Sequence, residues 1–235
     1  MTTTLITGAN KGLGFETARR LIEAGHTVYV GSRNAGRGRL AAERLGARHV
    51  LLDVTDDDSV TRAARTVEAD GGLDVLVNNA GIEERTPDGG VIGPADVSTG
   101  IMRTTFETNV LGVVRVTRAF LPLLRRSAAP VIVNVSSGLA SLTRVTTPGT
   151  PTYAYPGVAY PASKAAVNMI TVQYAKAFPG MRINAVEPGY TATDLNLHAG
   201  TQTVEEGAEI IVRMAQAGPD DPTGGYFDVS GMIPW

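Results

Sequence analysis

The chain contains no cysteine, which excludes disulfides, thiol nucleophiles and thiolate metal sites together. Histidine is scarce: three are scattered along 235 residues, offering no metal-ligand constellation, and no catalytic metal is expected. No uninterrupted apolar run approaches the roughly eighteen residues that a spanning helix requires, which argues against a membrane partner. Neither sign of charge dominates. The 21 lysines and arginines face 23 acidic residues with no long block of either, so nucleic acid and anionic membrane are poor partners. Lysine itself is confined to Lys11, Lys164 and Lys176, with arginine supplying every other strong base. No Pro/Gly/Ser-rich stretch divides the composition and no segment repeats, so residues 1–235 read as one domain. Met1 to Gly8 reads as a strand entering a loop rather than a secretory leader, and a cytoplasmic location is the expectation.

What is present alternates between two periods. Strands are predicted at Thr3–Thr7, Thr27–Gly31, His49–Asp53, Leu73–Val77, Pro130–Val135, Arg182–Val186 and Gly225–Val229. Between them, helices are predicted at Phe15–Ala24, Arg39–Leu45 (after a loop over Asn34–Gly38), Ser59–Glu68 (capped by Asp57 or Asp58), Ile101–Leu124, Tyr160–Phe178 and Val204–Ala217. Runs such as Val75-Leu76-Val77 and Val131-Ile132-Val133 lack polar alternation, as parallel strands covered on both faces do. The implied architecture is α/β: a doubly wound, Rossmann-type parallel sheet of about seven strands flanked by helices.

The first strand ends in Thr7-Gly8-Ala9-Asn10-Lys11-Gly12-Leu13-Gly14. Its glycines follow G-x-x-x-G-x-G spacing, which departs from the G-x-G-x-x-G fingerprint of many dinucleotide sites but can do the same work. Missing side chains let the backbone approach a pyrophosphate at the positive end of the next helix; the alternative is a turn that serves only close packing. After the second strand comes Arg33, where an acidic residue would accept hydrogen bonds from an unphosphorylated ribose. Arg33 and Lys11 point instead to a 2′-phosphate, hence to NADP(H) over NAD, with solvated surface charge as the alternative for each base alone. Asp53 either accepts a hydrogen bond from the adenine amino group or caps its strand. Asn78, in Asn78-Asn79-Ala80-Gly81, is read as a brace for the sheet rather than a chemical group.

Tyr160 and Lys164 stand one helical turn apart and so share a face. A phenol titrating near 10 is a poor base at neutral pH; a nearby cation favours its ionised form. Ser136 and Ser137 end the fifth strand, where one hydroxyl can steady negative charge developing on a substrate oxygen, unless both simply form a turn. Asn109 either binds a water linking Lys164 to solvent or relieves a local helix distortion.

The ordered set resembles the classical short-chain dehydrogenase/reductase family across essentially the whole chain: Thr7 to Gly14, Asp53-Val54, Asn78 to Gly81, Asn109, Ser136-Ser137, Tyr160 to Lys164 and Pro188-Gly189-Tyr190-Thr191-Ala192-Thr193. The resemblance implies a catalytic tetrad of Asn109, Ser137, Tyr160 and Lys164, with family spacing favouring Ser137 over Ser136. It implies cofactor contacts from Gly8, Asn10, Lys11, Gly12, Leu13, Gly14, Arg33, Asp53, Val54, Asn79, Ala80, Gly81, Tyr160, Lys164, Pro188, Gly189, Thr191 and Thr193. Lys11 and Arg33 match the family's NADPH-preferring pattern, and Gly31-Ser32-Arg33-Asn34 with Thr223 to Trp235 is similar to its carbonyl-reductase-like branch. Implied is hydride transfer between NADPH and a ketone or aldehyde, with Tyr160 as acid/base. The alternatives are an NADP-linked dehydrogenase working mainly on alcohols and a non-catalytic NADP-binding sensor. One departure stands out: Ser137 and Tyr160 are 23 positions apart, against about a dozen in most of the family. The extra segment, residues 143–157, either rims the pocket or covers a helix face used for dimerisation. A homodimer or homotetramer is accordingly one expectation and a monomer the other. Wall residues are sought among Leu139, Leu142, Tyr153, Tyr155, Tyr190, Leu195 and Trp235.

Overall fold

A computed structural model describes residues 2–235. Strand β1 (Thr3–Thr7) leads through the glycine turn into helix α1 (Gly12–Glu23), whose Ala18 and Leu21 are buried against the sheet. Strand β2 (Thr27–Ser32), helix α2 (Ala35–Leu45), strand β3 (Arg48–Leu51), helix α3 (Asp57–Ala69) and strand β4 (Val75–Asn78) continue the alternation. Helix α4 (Thr99–Phe106) runs through a π-helical turn (Glu107–Leu111) into α5 (Gly112–Leu124). Then come β5 (Val131–Val135), the one-turn α6 (Leu142–Val145), the long α7 (Ala159–Ala177), β6 (Arg182–Val186), α8 (Val204–Ala215), β7 (Tyr226–Asp228) and β8 (Gly231–Met232).

The strands form one sheet in the order β3-β2-β1-β4-β5-β6-β7-β8, parallel throughout except for the last pair. Every residue of β4 and β5 is buried, as their unbroken apolar patterns require. The chain reverses its direction of winding between β1 and β4, which opens a crevice above their carboxyl ends. The doubly wound α/β fold is therefore as expected, with one more strand than the predicted seven because the two-residue β8 turns back antiparallel onto β7.

Several boundaries differ for identifiable reasons. Helix α2 includes most of the segment predicted as a loop over Asn34–Gly38, because Asn34 Oδ1 accepts the Arg37 amide at 2.9 Å and caps the helix start. Asp56 caps α3, not Asp57 or Asp58: its carboxylate accepts the Asp58 and Ser59 amides at 2.9 and 3.1 Å. Strand β3 stops at Leu51, leaving Asp53 in the loop beyond it. The helix predicted over Ile101–Leu124 is interrupted by the π turn that contains Asn109.

Candidate active site

The glycine turn has the geometry of a cradle. Gly8 and Gly12 have φ of +66° and +56°, in the left-handed region. Gly14 is excluded from substitution by space: a Cβ there would lie 2.6 Å from Asn79 Nδ2 and 2.9 Å from Ala9 Cα. The first turn of α1 has no acidic residue and no side-chain cap, so its amides remain available to an anion. Asn10 sits in the same turn, and Leu13 packs towards Gly207 of α8. Asn79 secures this cradle rather than pointing out of it, since its Nδ2 donates to Thr7 O at 2.8 Å. Thr7 Oγ1 in turn accepts the amides of Asn79 and Ala80, both at 2.9 Å. This contribution of Thr7 went unread in the sequence.

The other predicted cofactor contacts surround the crevice unevenly. Arg33 is exposed at the end of β2 and makes no ion pair among the described residues. Lys11 points elsewhere, pairing with Asp194 on the loop after β6, and His198 also bonds that carboxylate at 2.9 Å. Asp53 shapes a turn by accepting the Thr55 amide at 2.9 Å. Val54 is buried against Gly112 of α5, where a Cβ would lie 2.9 Å from Val54 Cγ2. Across the crevice, Thr193 faces Gly12, with its Cγ2 3.7 Å from where a Cβ would sit. Pro188 and Thr191 are linked, Thr191 Oγ1 donating to Pro188 O at 3.1 Å, while Gly189 adopts φ +79°.

The four predicted catalytic residues converge beneath this loop layer. Tyr160 and Lys164 lie in the first turns of α7, with the ammonium 5.6 Å from the phenol ring centre. Lys164 is 4% exposed and donates to Val135 O at 2.7 Å. Burial lowers its pKa to about 8. Ser137, just after β5, accepts the Leu139 amide at 3.2 Å and stands near enough to the Tyr160 phenol to favour its ionised form. Ser136 instead donates to Asn168 Oδ1 at 2.6 Å beneath the site and is a packing residue. Asn109 is 1% exposed; its Oδ1 accepts the Ile82 amide at 2.8 Å, while Nδ2 donates to Ile82 O and Ser163 Oγ at 2.9 and 3.0 Å. It thereby ties the loop after β4 to α7. A Cβ on Gly81 would lie 3.4 Å from Asn109 Oδ1 and 3.5 Å from Lys164 Nζ, which places Gly81 beside both groups. Asn78 braces β4 against β5, donating to Asn134 Oδ1 at 2.8 Å.

A shallow recess opens beside Tyr160, lined in part by Glu83, Val91, Ile101, Tyr155 and Val158. Of the wall residues sought in the sequence only Tyr155 lines it, so the 143–157 segment reaches the recess. Trp235 stacks on Tyr226, 5.4 Å between ring centres. Glu83 was missed: it has no motif, and its partner Tyr155 lies 72 positions away. Burial pushes the Tyr160 phenol well above its usual value; Glu83 and Glu187 add to that rise, while the nearby Ser137 hydroxyl and Arg85 oppose it. Among the described residues no acidic or histidine cluster could hold a metal, and no helix is long and apolar enough to cross a membrane.

The family model for short chain dehydrogenases matches residues 2–203. The chain is 31% identical to a (+)-neomenthol dehydrogenase of Capsicum annuum, over 95% of this chain and 94% of that one. It is 31% identical to a salutaridine reductase of Papaver bracteatum, over 97% and 94%. These alignments run to 295 and 296 positions, more than the chain's 235 residues, so both relatives carry stretches with no counterpart here. Among solved structures, salutaridine reductase from Papaver somniferum superposes with a TM-score of 0.85 at 29% identity, covering 97% of this chain and 99% of that one. NADPH-bound carbonyl reductase from chicken fatty liver gives 0.83 at 26%, covering 100% and 99%. Sequence and fold agree: the chain belongs to the short-chain dehydrogenase/reductase family and is an oxidoreductase acting between carbonyl and alcohol groups.

Proposed function

We propose that the protein reduces a ketone or aldehyde with NADPH, using Tyr160 as the general acid. The observation that carries this reading is the convergence of Tyr160, Ser137 and buried Lys164 below an open, acid-free helix start. Gly8, Asn10, Gly12, Leu13 and Gly14 would hold the pyrophosphate, and Arg33 the 2′-phosphate through paired donors. Asp53, Val54, Asn79, Ala80 and Gly81 would border the adenosine side. Pro188, Gly189, Thr191 and Thr193 would flank the nicotinamide end. NADPH bound there supplies the hydride.

The remaining work falls to the chain. Ser137 donates a hydrogen bond to the substrate oxygen and orients it towards Tyr160. Tyr160 gives its proton to that oxygen as negative charge develops. Lys164 stabilises the phenolate left behind; a pKa of about 8 lets it exchange a proton near neutral pH. Asn109 holds the loop after β4 against α7, and with it the path by which Lys164 regains a proton. Catalysis running mainly towards alcohol oxidation would use the same residues in reverse. The relatives' names, a neomenthol dehydrogenase and a salutaridine reductase, favour cyclic ketones or alcohols as the substrate class.

The test is an absorbance screen of NADPH and NADH against cyclic ketones, small aromatic ketones, quinones and α-dicarbonyls. Selective NADPH consumption is expected. Tight NADPH binding without turnover of any carbonyl or alcohol would replace the enzyme reading with that of a cofactor-binding sensor.

A further inference from the structure

Strand β5 leaves the sheet just before the serine that the reaction uses. The Ser136 amide still donates to Val186 O at 2.8 Å, and Ser137 follows it into a single 3-10 turn over Gly138–Ala140. Ser137 Oγ accepts the Leu139 amide at 3.2 Å, and its carbonyl accepts both the Ala140 amide at 2.8 Å and the hydroxyl of Tyr226 on β7. The two amides belong to the turn and travel with it. The Tyr226 hydrogen bond is different in kind, because it ties the turn to a strand of the sheet two places away from β5.

Tyr226 is built to hold its hydroxyl still. Its backbone pairs with Ala185 of β6 on one side, and on the other its carbonyl accepts the Ile233 amide at 2.8 Å. The residue is fully buried, and its ring stacks on Trp235 with 17° between the planes. Trp235 is held in turn: its carbonyl accepts the Thr143 amide at 3.1 Å and Thr143 Oγ1 at 2.9 Å, while Pro234 O accepts Ser141 Oγ at 2.7 Å. Ring packing alone would be served as well by a phenylalanine. A buried phenol also needs a partner for its hydroxyl, and here that partner is the carbonyl of Ser137.

We propose that Tyr226 is a positioning residue for the reaction: its hydroxyl anchors the Ser137 carbonyl and so fixes where the Ser137 hydroxyl meets the substrate oxygen, with Trp235 bracing the ring. This rests on the reading that Ser137 orients that oxygen. A hydrogen bond that steadies developing charge works only if its donor is already in place when the charge appears, so a small displacement of the turn lowers the rate. Neither Tyr226 nor Trp235 needs to touch the substrate for this. Their effect passes through Ser137, which is what makes it separable from a general loss of packing.

The test is a double-mutant cycle read by the single-turnover rate of hydride transfer from NADPH to a saturating cyclic ketone, with enzyme in excess over NADPH so that slow variants are still measured. Tyr226→Phe keeps the ring and its stack on Trp235 and removes only the hydroxyl. It is expected to slow the step about tenfold, with the NADPH dissociation constant unchanged within about twofold. In a Ser137→Ala background the same substitution is expected to change the rate by less than about twofold, since no serine hydroxyl is left to place. Trp235→Leu takes away the stacked face and leaves the Tyr226 hydroxyl; a loss of about threefold is expected, again absent in the Ser137→Ala background. An equal loss from Tyr226→Phe in both backgrounds would show that the hydroxyl supports the fold at large and would overturn the proposal. The two readings fail separately. If Ser137→Ala alone is as fast as the parent, the role of Ser137 falls and that of Tyr226 with it; if Ser137→Ala is slow while Tyr226→Phe runs at the parent rate, only the role of Tyr226 falls.

Discussion

Lys11, in the glycine turn after β1, is ion-paired with Asp194, on the loop after β6, so the two sides of the crevice are joined by charge at its mouth. Both side chains are more than half exposed, which leaves the pair weak and easily exchanged for another anion. A phosphate arriving at the cradle has to compete with Asp194 for Lys11. Asp194→Ala is therefore expected to tighten NADPH binding by about two- to fivefold at low salt, with the gain shrinking as salt rises. Fluorescence titration of NADPH at two ionic strengths checks this, and weaker binding in the variant would count against it.

Arg33 carries the cofactor preference in our proposal. Arg33→Asp is expected to weaken NADPH by roughly 30-fold while changing NADH far less, since only the former has a phosphate to lose. Equal losses for both cofactors, measured side by side, would remove Arg33 from the 2′-phosphate site.

Tyr160→Phe is expected to lower kcat by about 10³-fold with the NADPH dissociation constant unchanged within about threefold. Single-turnover measurements make the comparison free of product release. Turnover within tenfold of the parent would show that another group donates the proton.

Lys164 links function to stability. Its pKa falls from 10.5 in the unfolded chain to about 8 in the fold, so the unfolded state binds the extra proton between those values. Folding stability from this group is therefore poorest below pH 8 and recovers as pH rises from 8 towards 10.5. Lys164→Met removes the buried charge but leaves Val135 O without its donor. A net gain of about 1–2 kcal/mol at pH 7 is expected, fading above pH 8, with reductase activity lost. Urea denaturation at pH 7 and pH 9.5 tests the sign; a variant less stable than the parent at pH 7 would contradict it.

Much of the site was legible because its groups are local. The Tyr160–Lys164 pair is one helical turn, and the glycine turn follows a strand directly, so spacing alone places each. What spacing could not convey were contacts made by the fold. The first turn of helix α2, over residues 35–38, was hidden because Gly36 and Gly38 are poor helix formers; Gly38 is there because a Cβ would fall 2.3 Å from His49 Nε2 on β3. The π turn around Asn109 left only a polar residue in an apolar helix as its trace, enough to suggest a distortion and not its form. Lys11 was expected at the cofactor, and its partner Asp194, 183 positions away, could not be read from sequence. Glu83 and Tyr155 have the same difficulty.

The central placement of β5 has a consequence for how the chain is made. It pairs with β4, completed earlier, and with β6, whose residues emerge roughly fifty positions later. At ordinary elongation rates of about 5–20 residues per second, that leaves an interval of a few seconds. During it a strand whose every residue is destined for burial presents an unpaired edge on the nascent chain. Synthesis slow enough to lengthen that interval, or a truncation before Arg182, would leave a sticky half-sheet that lacks the loop from Pro188 to Thr193 and so has no complete crevice for a ligand to stabilise.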